Sequence, residues 1–267
     1  IIMDKRPIGV FDSGLGGLTV VKAMKKLLPN ESILYFGDTA RLPYGVKSKE
    51  LVIDYSNQIV KFLIKKNAKM IIVACNTATA MALKELKYNF KDTPIIGVIE
   101  PGSIQASLDS INKKIGVIGT VATIKSRAYN YALKSIDNSI NVFSKDCPLF
   151  VPLVEEGMVD GEAVNLIVEH YLASFKNNID TMILGCTHYP LLEPVIKKHV
   201  KDIKLVDSAS AVAKHANRIL NEHKIKNGYK KRGSLDCFVT DLPRQFEKLG
   251  RIFLGESIIE PQFVDDF

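Results

Sequence analysis

Long apolar stretches are missing from this sequence. The longest apolar runs, such as MIIVAC and TMILGC, hold about six residues, whereas a membrane-spanning helix needs about 20. No transmembrane helix and no membrane partner are expected. The opening residues, IIMDKRPIGVFDSG, lack an apolar h-region and a small-residue cleavage site, so they do not read as a secretory signal. A cytoplasmic location is the expectation. Cysteine is scarce: Cys75, Cys147, Cys186 and Cys237 form no C-x-x-C pair. A chain of 267 residues has no need of disulfide staples, so reduced thiols are expected. Low-complexity segments and long linkers are absent as well. With 46% hydrophobic and 24% charged residues, the composition excludes a disordered or fibrous chain. The length allows one large or two small domains.

The net charge of +7 raises the question of an anionic partner. Most lysines, however, fall on amphipathic segments such as VVKAMKKLL and VKFLIKK. The densest basic stretch, Lys224 to Arg232, has one aromatic residue and no recognisable nucleic-acid motif. A solvated lysine-rich surface is the expectation, with no nucleic-acid partner.

What is present is alternation. Short, near-continuous apolar runs suit strands buried on both faces of a parallel sheet. They predict strands at Ile8–Phe11, Ile33–Phe36, Met70–Ala74, Ile95–Ile99, Ile115–Ile118, Ile140–Phe143, Met182–Leu184, Lys204–Val206 and Leu235–Val239. Between them, helical spacing predicts helices from Leu18, after an N-cap at Ser48 with Asn67 just past its end, and at Thr77–Tyr88, Ile104–Ile111, Thr123–Ile136, Gly161–Phe175, Pro190–His199 and Ser208–Glu222. The fold class is therefore α/β with mainly parallel sheets. An internal echo supports two similar halves facing one another: MIIVACNTATA and TMILGCTHYPL each run strand, small residue, cysteine, hydroxyl-bearing turn.

Ligands of parallel α/β sheets bind beyond the carboxyl ends of the strands. Here those ends read Asp12-Ser13-Gly14, Gly37-Asp38-Thr39, Cys75-Asn76-Thr77, Glu100-Pro101-Gly102, Gly119-Thr120 and Cys186-Thr187-His188. Small residues, hydroxyls, an amide and two thiols suit a small zwitterion or dicarboxylate. A zinc site would need three or four clustered ligands, and Cys75, Cys186 and His188 lack that spacing; no metal is expected. A thiol phosphatase would place Arg six residues after its Cys, but Met81 and Leu192 stand there. A Cys–His hydrolase would use Cys186 and His188 and leave Cys75 without a role. Racemisation uses both thiols, because inverting a carbon centre needs an acid/base group on each face, and a thiol serves both forms near neutral pH. The competing reading takes both cysteines as small buried hydrophobes, a reading that fits Cys147 and Cys237 better. Asp12 either orients a thiol or caps a helix, and His188 either tunes Cys186 or is structural. The runner-up function is a dinucleotide-binding oxidoreductase, suggested by Gly14–Gly17 and Asp38. Thr19 in place of the third glycine, and Asp12 at the turn, weaken that fingerprint.

The segments FDSGLGGLTV, GDTARLPYG, ACNTATA, GVIEPG and GCTHYPLL, in order from about Pro7 to His215, resemble the signature segments of the bacterial glutamate racemases, within the aspartate/glutamate racemase superfamily. The resemblance implies two facing α/β domains with the active site between them: Ile1–Gly97 plus Asp207–Phe267, and Val98–Val206. It implies interconversion of L- and D-glutamate without pyridoxal phosphate or any other cofactor, with D-glutamate feeding peptidoglycan synthesis. An aspartate racemase or related two-thiol enzyme is the alternative. By motif, Cys75 and Cys186 take the proton donor/acceptor roles; Asp12 and Ser13 belong with Cys75, and His188 and Glu155 assist Cys186. The implied substrate contacts are Asp12, Ser13, Pro43, Tyr44, Gly45, Asn76, Thr77, Thr120, Thr123, Thr187 and His188. A homodimer is common among such enzymes and is the expected assembly.

Overall fold

The computed structural model describes residues 4–176, 178–241, 246–256 and 261–265. Ile1–Met3 and Asp266–Phe267, the outer ends of the first expected domain, lie outside the described residues. Contacts divide the chain into two compact units, Ile1–Val98 with Ala209–Phe267, and Ile99–Ser208.

The first unit begins with β1 (Ile8–Asp12), α1 (Leu18–Leu27), β2 (Ile33–Gly37), α2 (Lys49–Lys65), β3 (Met70–Val73), α3 (Asn76–Asn89) and β4 (Ile95–Gly97). The second contains α4 (Ile99–Asp109), β5 (Lys114–Gly119), α5 (Val121–Lys125), α6 (Ala128–Ile136), β6 (Asn141–Asp146), α7 (Phe150–Glu155), α8 (Glu162–Leu172), β7 (Thr181–Gly185), α9 (Glu193–His199) and β8 (Lys204–Asp207). The chain then returns to the first unit through α10 (Ser208–Glu222), β9 (Leu235–Val239), α11 (Phe246–Leu254) and β10 (Gln262–Phe263). The first sheet has the order β10-β9-β2-β1-β3-β4 and the second β6-β5-β7-β8. Every pairing is parallel. The fold class read from the sequence is the one found.

Both sheets repeat one wiring. In the first, β1 has β2 on one side and β3 on the other; in the second, β5 has β6 and β7 in those places. The crevice of such a sheet opens where successive connections leave the central strand in opposite directions. That point lies between the ends of β1 and β3 in one unit, and of β5 and β7 in the other. Register makes the equivalence specific. Phe11 pairs with Val73, so Ser13 and Cys75 each follow two residues later; Gly119 pairs with Gly185, so Thr120 and Cys186 follow by one.

The central strands β1, β3 and β7 are buried along their whole length, which is why the apolar runs were uninterrupted. Packing over the first sheet centres on α2, whose Phe62 meets Phe36 and Phe238 edge-on at centroid distances of 5.2 and 5.1 Å. Full burial of one such ring is worth roughly 1.5–3 kcal/mol. Helix α2 also carries both of the caps its sequence announces. The Ser48 hydroxyl accepts from Leu51 N–H at 3.3 Å. At the other end, Asn67 N–H donates to the Ile64 carbonyl at 2.8 Å and Ala68 N–H to the Leu63 carbonyl at 3.0 Å, with Asn67 at φ 65°. This is the paired closure that a left-handed residue permits. Asn67→Val is expected to destabilise the protein by about 1–2 kcal/mol, the cost of a branched side chain at that backbone angle, whereas Asn67→Gly is neutral or stabilising; urea titration of both variants measures this.

Three expectations shift. Ile99 starts α4 rather than ending β4, which puts Glu100-Pro101-Gly102 in the first turn of a helix, where proline is tolerated because its missing N–H has no helical partner. The helix expected over Thr123–Ile136 is broken in two by Arg127 at φ 56°. The helix expected over Pro190–His199 opens with a tight 3-10 turn, Tyr189–Leu192. No helix among the described residues is long and apolar enough to cross a membrane.

Candidate functional site

Cys75 follows β3 and caps α3. Its sulfur accepts a hydrogen bond from the Ala78 backbone N–H at 3.4 Å, and its thiol reaches Ser13 Oγ at 3.8 Å. A helix N-terminus with an amide aimed at sulfur favours negative charge there. Asp12 ends β1, fully buried, and its Oδ2 accepts from Gly14 N–H at 3.1 Å. It does not cap α1: the capping residue there is Gly17, without a side-chain bond. Asn76 and Thr77 form the buried first turn of α3.

The loop after β2 carries Pro43, Tyr44 and Gly45. Tyr44 is buried, and its hydroxyl donates to Asp38. Burial and the Asp38 charge push the Tyr44 hydroxyl far above its ordinary pKa, so it stays neutral. Asp38, also fully buried, receives Arg41 Nε at 2.9 Å and Thr240 Oγ1 at 3.0 Å. Its oxygens are thus committed to holding this loop, which counts against the dinucleotide reading. Sequence reasoning noticed Asp38 as a strand-end residue and as part of that fingerprint; of its partners, Arg41 and Tyr44 stand in the same loop segment, while Thr240, 202 positions away, gave no local signal.

In the second unit Cys186 follows β7. It lies 3.8 Å from His188 Nδ1, and Thr187 Oγ1 is 3.4 Å from the same nitrogen. The other ring nitrogen, Nε2, meets Glu155 Oε1 in a close ion pair. Burial opposes charge on His188, but the hydrogen bonds to Cys186 and Glu155 outweigh it and raise the imidazole to about 10. These contacts favour the protonated ring, the form that can donate to Cys186 and Glu155 at once. Glu155 reaches it because α7 is clamped by aromatic rings: Phe150 meets Tyr171 and Tyr189 edge-on at 5.3 and 5.1 Å. Thr120 Oγ1 caps α5, accepting from Thr123 N–H at 3.2 Å and donating to Thr123 Oγ1 at 3.0 Å.

Within the first unit, then, the fold gathers Asp12, Ser13 and Cys75, with Asn76 and Thr77 continuing from the thiol; within the second it gathers Glu155, Cys186, Thr187 and His188. Cys147 and Cys237 differ from these thiols: both are buried, and burial raises their pKa values, that of Cys237 to about 12. They remain protonated and inert. Among the described residues no group of three or more His, Cys, Asp and Glu is arranged to hold a metal ion.

Because the His188 pKa is higher in the folded state than in the unfolded chain, its contribution to stability is complete below about 6.5 and fades as pH rises toward about 10. The melting-temperature gap between the wild type and His188→Asn is expected to narrow over that window; a gap that is constant or widening contradicts the charged ring.

Residues 8–216 match the family model described as Asp/Glu/hydantoin racemase. The chain belongs to this family. As a racemase-family member it is an isomerase. It is 49% identical to a glutamate racemase of Aquifex aeolicus, over 97% of this chain and 98% of the relative. Among solved structures, it is similar to a glutamate racemase from Francisella tularensis, in complex with D-glutamate (TM-score 0.92, 42% identity, 98% of each chain). A glutamate racemase isoform from Bacillus anthracis is comparably similar (TM-score 0.93, 40% identity, 97% of each chain). The racemase family and the two-sheet α/β architecture thus agree with the motif-based resemblance.

Proposed function

We propose that this chain interconverts L- and D-glutamate, with Cys75 and Cys186 as its two acid/base groups and no pyridoxal phosphate. The observation that carries the reading is the repeat itself: one thiol beside one hydroxyl residue at the same strand end of each sheet. Inversion at Cα needs a thiolate to remove the proton from one face and a thiol to supply one to the other. In the reverse direction the two sulfurs exchange roles.

Cys75 is served by Ser13, Asp12 and the first turn of α3. Cys186 is served by protonated His188, which Glu155 holds in place. With no cofactor to act as an electron sink, negative charge that develops at Cα and on its carboxylate must be met by preorganised donors. The hydroxyls of Ser13, Thr77, Thr120, Thr123 and Thr187, the Asn76 amide, and the Pro43-Tyr44-Gly45 loop are assigned to substrate carboxylates and the ammonium group. The names of the Aquifex and Francisella relatives favour glutamate over aspartate. The role that goes with this activity is supply of D-glutamate for peptidoglycan, in a cytoplasmic homodimer.

The test is racemisation of L-glutamate in D₂O, followed by circular dichroism and proton NMR. Loss of optical activity should be accompanied by one deuterium entering Cα per inversion. Inversion without solvent deuterium, or no inversion at all, would rule the reading out.

A further inference from the structure

The basic stretch Lys224–Arg232 has no part in the site above, and it is not loose chain. Asn227 N–H donates to Glu31 Oε1 and its side-chain amide to the Asn30 carbonyl, both at 2.7 Å. Gly233 N–H donates to the Pro29 carbonyl at 3.0 Å. Only glycine fits at 233, since a Cβ there would lie 2.1 Å from the Glu31 carbonyl oxygen. Beneath, Lys69 and Glu31 form a buried ion pair at 2.7 Å, with side chains 0% and 2% exposed, and Lys69 also donates to the Asp4 carbonyl at 2.8 Å. That pair balances its own charge, so Glu31 does not neutralise the surface cations above it.

These ties shape a cavity of about 320 Å³ in the first unit, at the amino ends of β1, β2 and β9. This is the opposite pole of the sheet from the strand ends that carry Asp12 and Cys75. Lys5, Lys231 and Arg232 line it, together with the Asn30 and Asn227 amides and the Tyr229 ring; no carboxylate does. Lys5 Nζ stands 3.9 Å from the Tyr229 ring centroid. Among the described residues none of the three cations has a carboxylate within salt-bridge distance, although Arg232 does feel the more distant charge of Glu256, which itself pairs with Lys25. The volume lies at the low end of the range of small-molecule pockets, roughly 300–1,000 Å³. Concave sites lined by one sign of charge concentrate the opposite ion, and a guanidinium matches phosphate oxygens two at a time.

We propose that this pocket binds a small phosphorylated molecule, with Arg232, Lys231 and Lys5 on the phosphate oxygens and the two amides completing the cradle. The site is independent of the reaction proposed above. Titration calorimetry on the full chain at fixed ionic strength, with inorganic pyrophosphate and with adenosine diphosphate as probes, tests it. One probe molecule should bind per chain. Lys231→Ala/Arg232→Ala should weaken binding at least tenfold, while Lys61→Ala/Lys65→Ala on α2, an equal loss of exposed charge, should leave it unchanged. Equal binding of the two probes means that phosphate alone is recognised; tighter adenosine diphosphate binding, lost in Tyr229→Ala, means that a ring is read as well. Either result upholds the site. No binding heat at millimolar probe, or equal weakening in both double variants, overturns it. All four lysine and arginine positions are exposed, and circular dichroism melts of each variant verify folding.

Discussion

Cys75→Ala and Cys186→Ala are each expected to lower kcat/KM for racemisation by about 10⁴-fold or more, the upper range for losing a positioned acid/base group. Neither change should unfold the protein, because alanine keeps the backbone and leaves only a sulfur-sized gap, and melting curves of the variants check this. A more discriminating result follows from splitting the reaction. Elimination from a β-halogenated glutamate needs one base only: the base takes the α-proton, the carbon–halogen bond breaks, and halide departs with its electron pair. Each single-cysteine variant should therefore still eliminate halide, and from one enantiomer only, with the opposite preference in the other variant. Racemase turnover retained in either variant, or the same enantiomer preferred by both, would show that the two sulfurs are not the paired bases.

His188→Asn is expected to lower kcat/KM by about 10²–10³-fold, and equally in the two directions. The equality is forced: enantiomers have the same free energy, so the equilibrium constant is one and cannot be altered by a substitution. One-sidedness must appear in the isotope effects instead. With the Cys186 step slowed, Cα-deuterated substrate should show a full primary isotope effect when Cys186 is the group that removes the deuteron. It should show a suppressed effect for the other enantiomer, whose deprotonation by Cys75 is no longer rate-limiting. Glu155→Gln should do the same more weakly, since the imidazole stays and loses only its charged anchor. Equal isotope effects for the two labelled enantiomers in His188→Asn would remove His188 from the Cys186 side.

Much of this was legible because the decisive signals are local. Strands buried on both faces must be apolar without interruption, so β1, β3 and β7 announced themselves, and the residues just past them had to be either turn formers or chemistry. Ser48 and Asn67 were legible as caps because their effects act within one helical turn. Less could be read where tertiary packing decides. Helix α7 is six residues long and exists because Phe150 is held by Tyr171 and Tyr189, residues that are distant in sequence. The strand β10 has two residues and, among the described residues, pairs with β9 alone, too little to leave a pattern. Asp38 fits a dinucleotide fingerprint by spacing alone, because Thr240, which is bonded to it, lies 202 positions away.

The two halves of the repeat are matched in wiring diagram but not in electrostatics. Gly119 holds the register position that Asp12 holds in the first unit. A Cβ at 119 would stand 3.3 Å from both the Gly185 carbonyl oxygen and Ile124 Cδ1, so a side chain there would crowd β7 and α5. The acid of the second half is imported instead, through Glu155 and the His188 ring. The Glu155 side chain keeps 22% of its surface in solvent, while that of His188 keeps 3%. The charge that balances His188 is thus held by a carboxylate open to solvent and to dissolved ions, whereas the amide and helix end beside Cys75 carry no mobile charge of that kind.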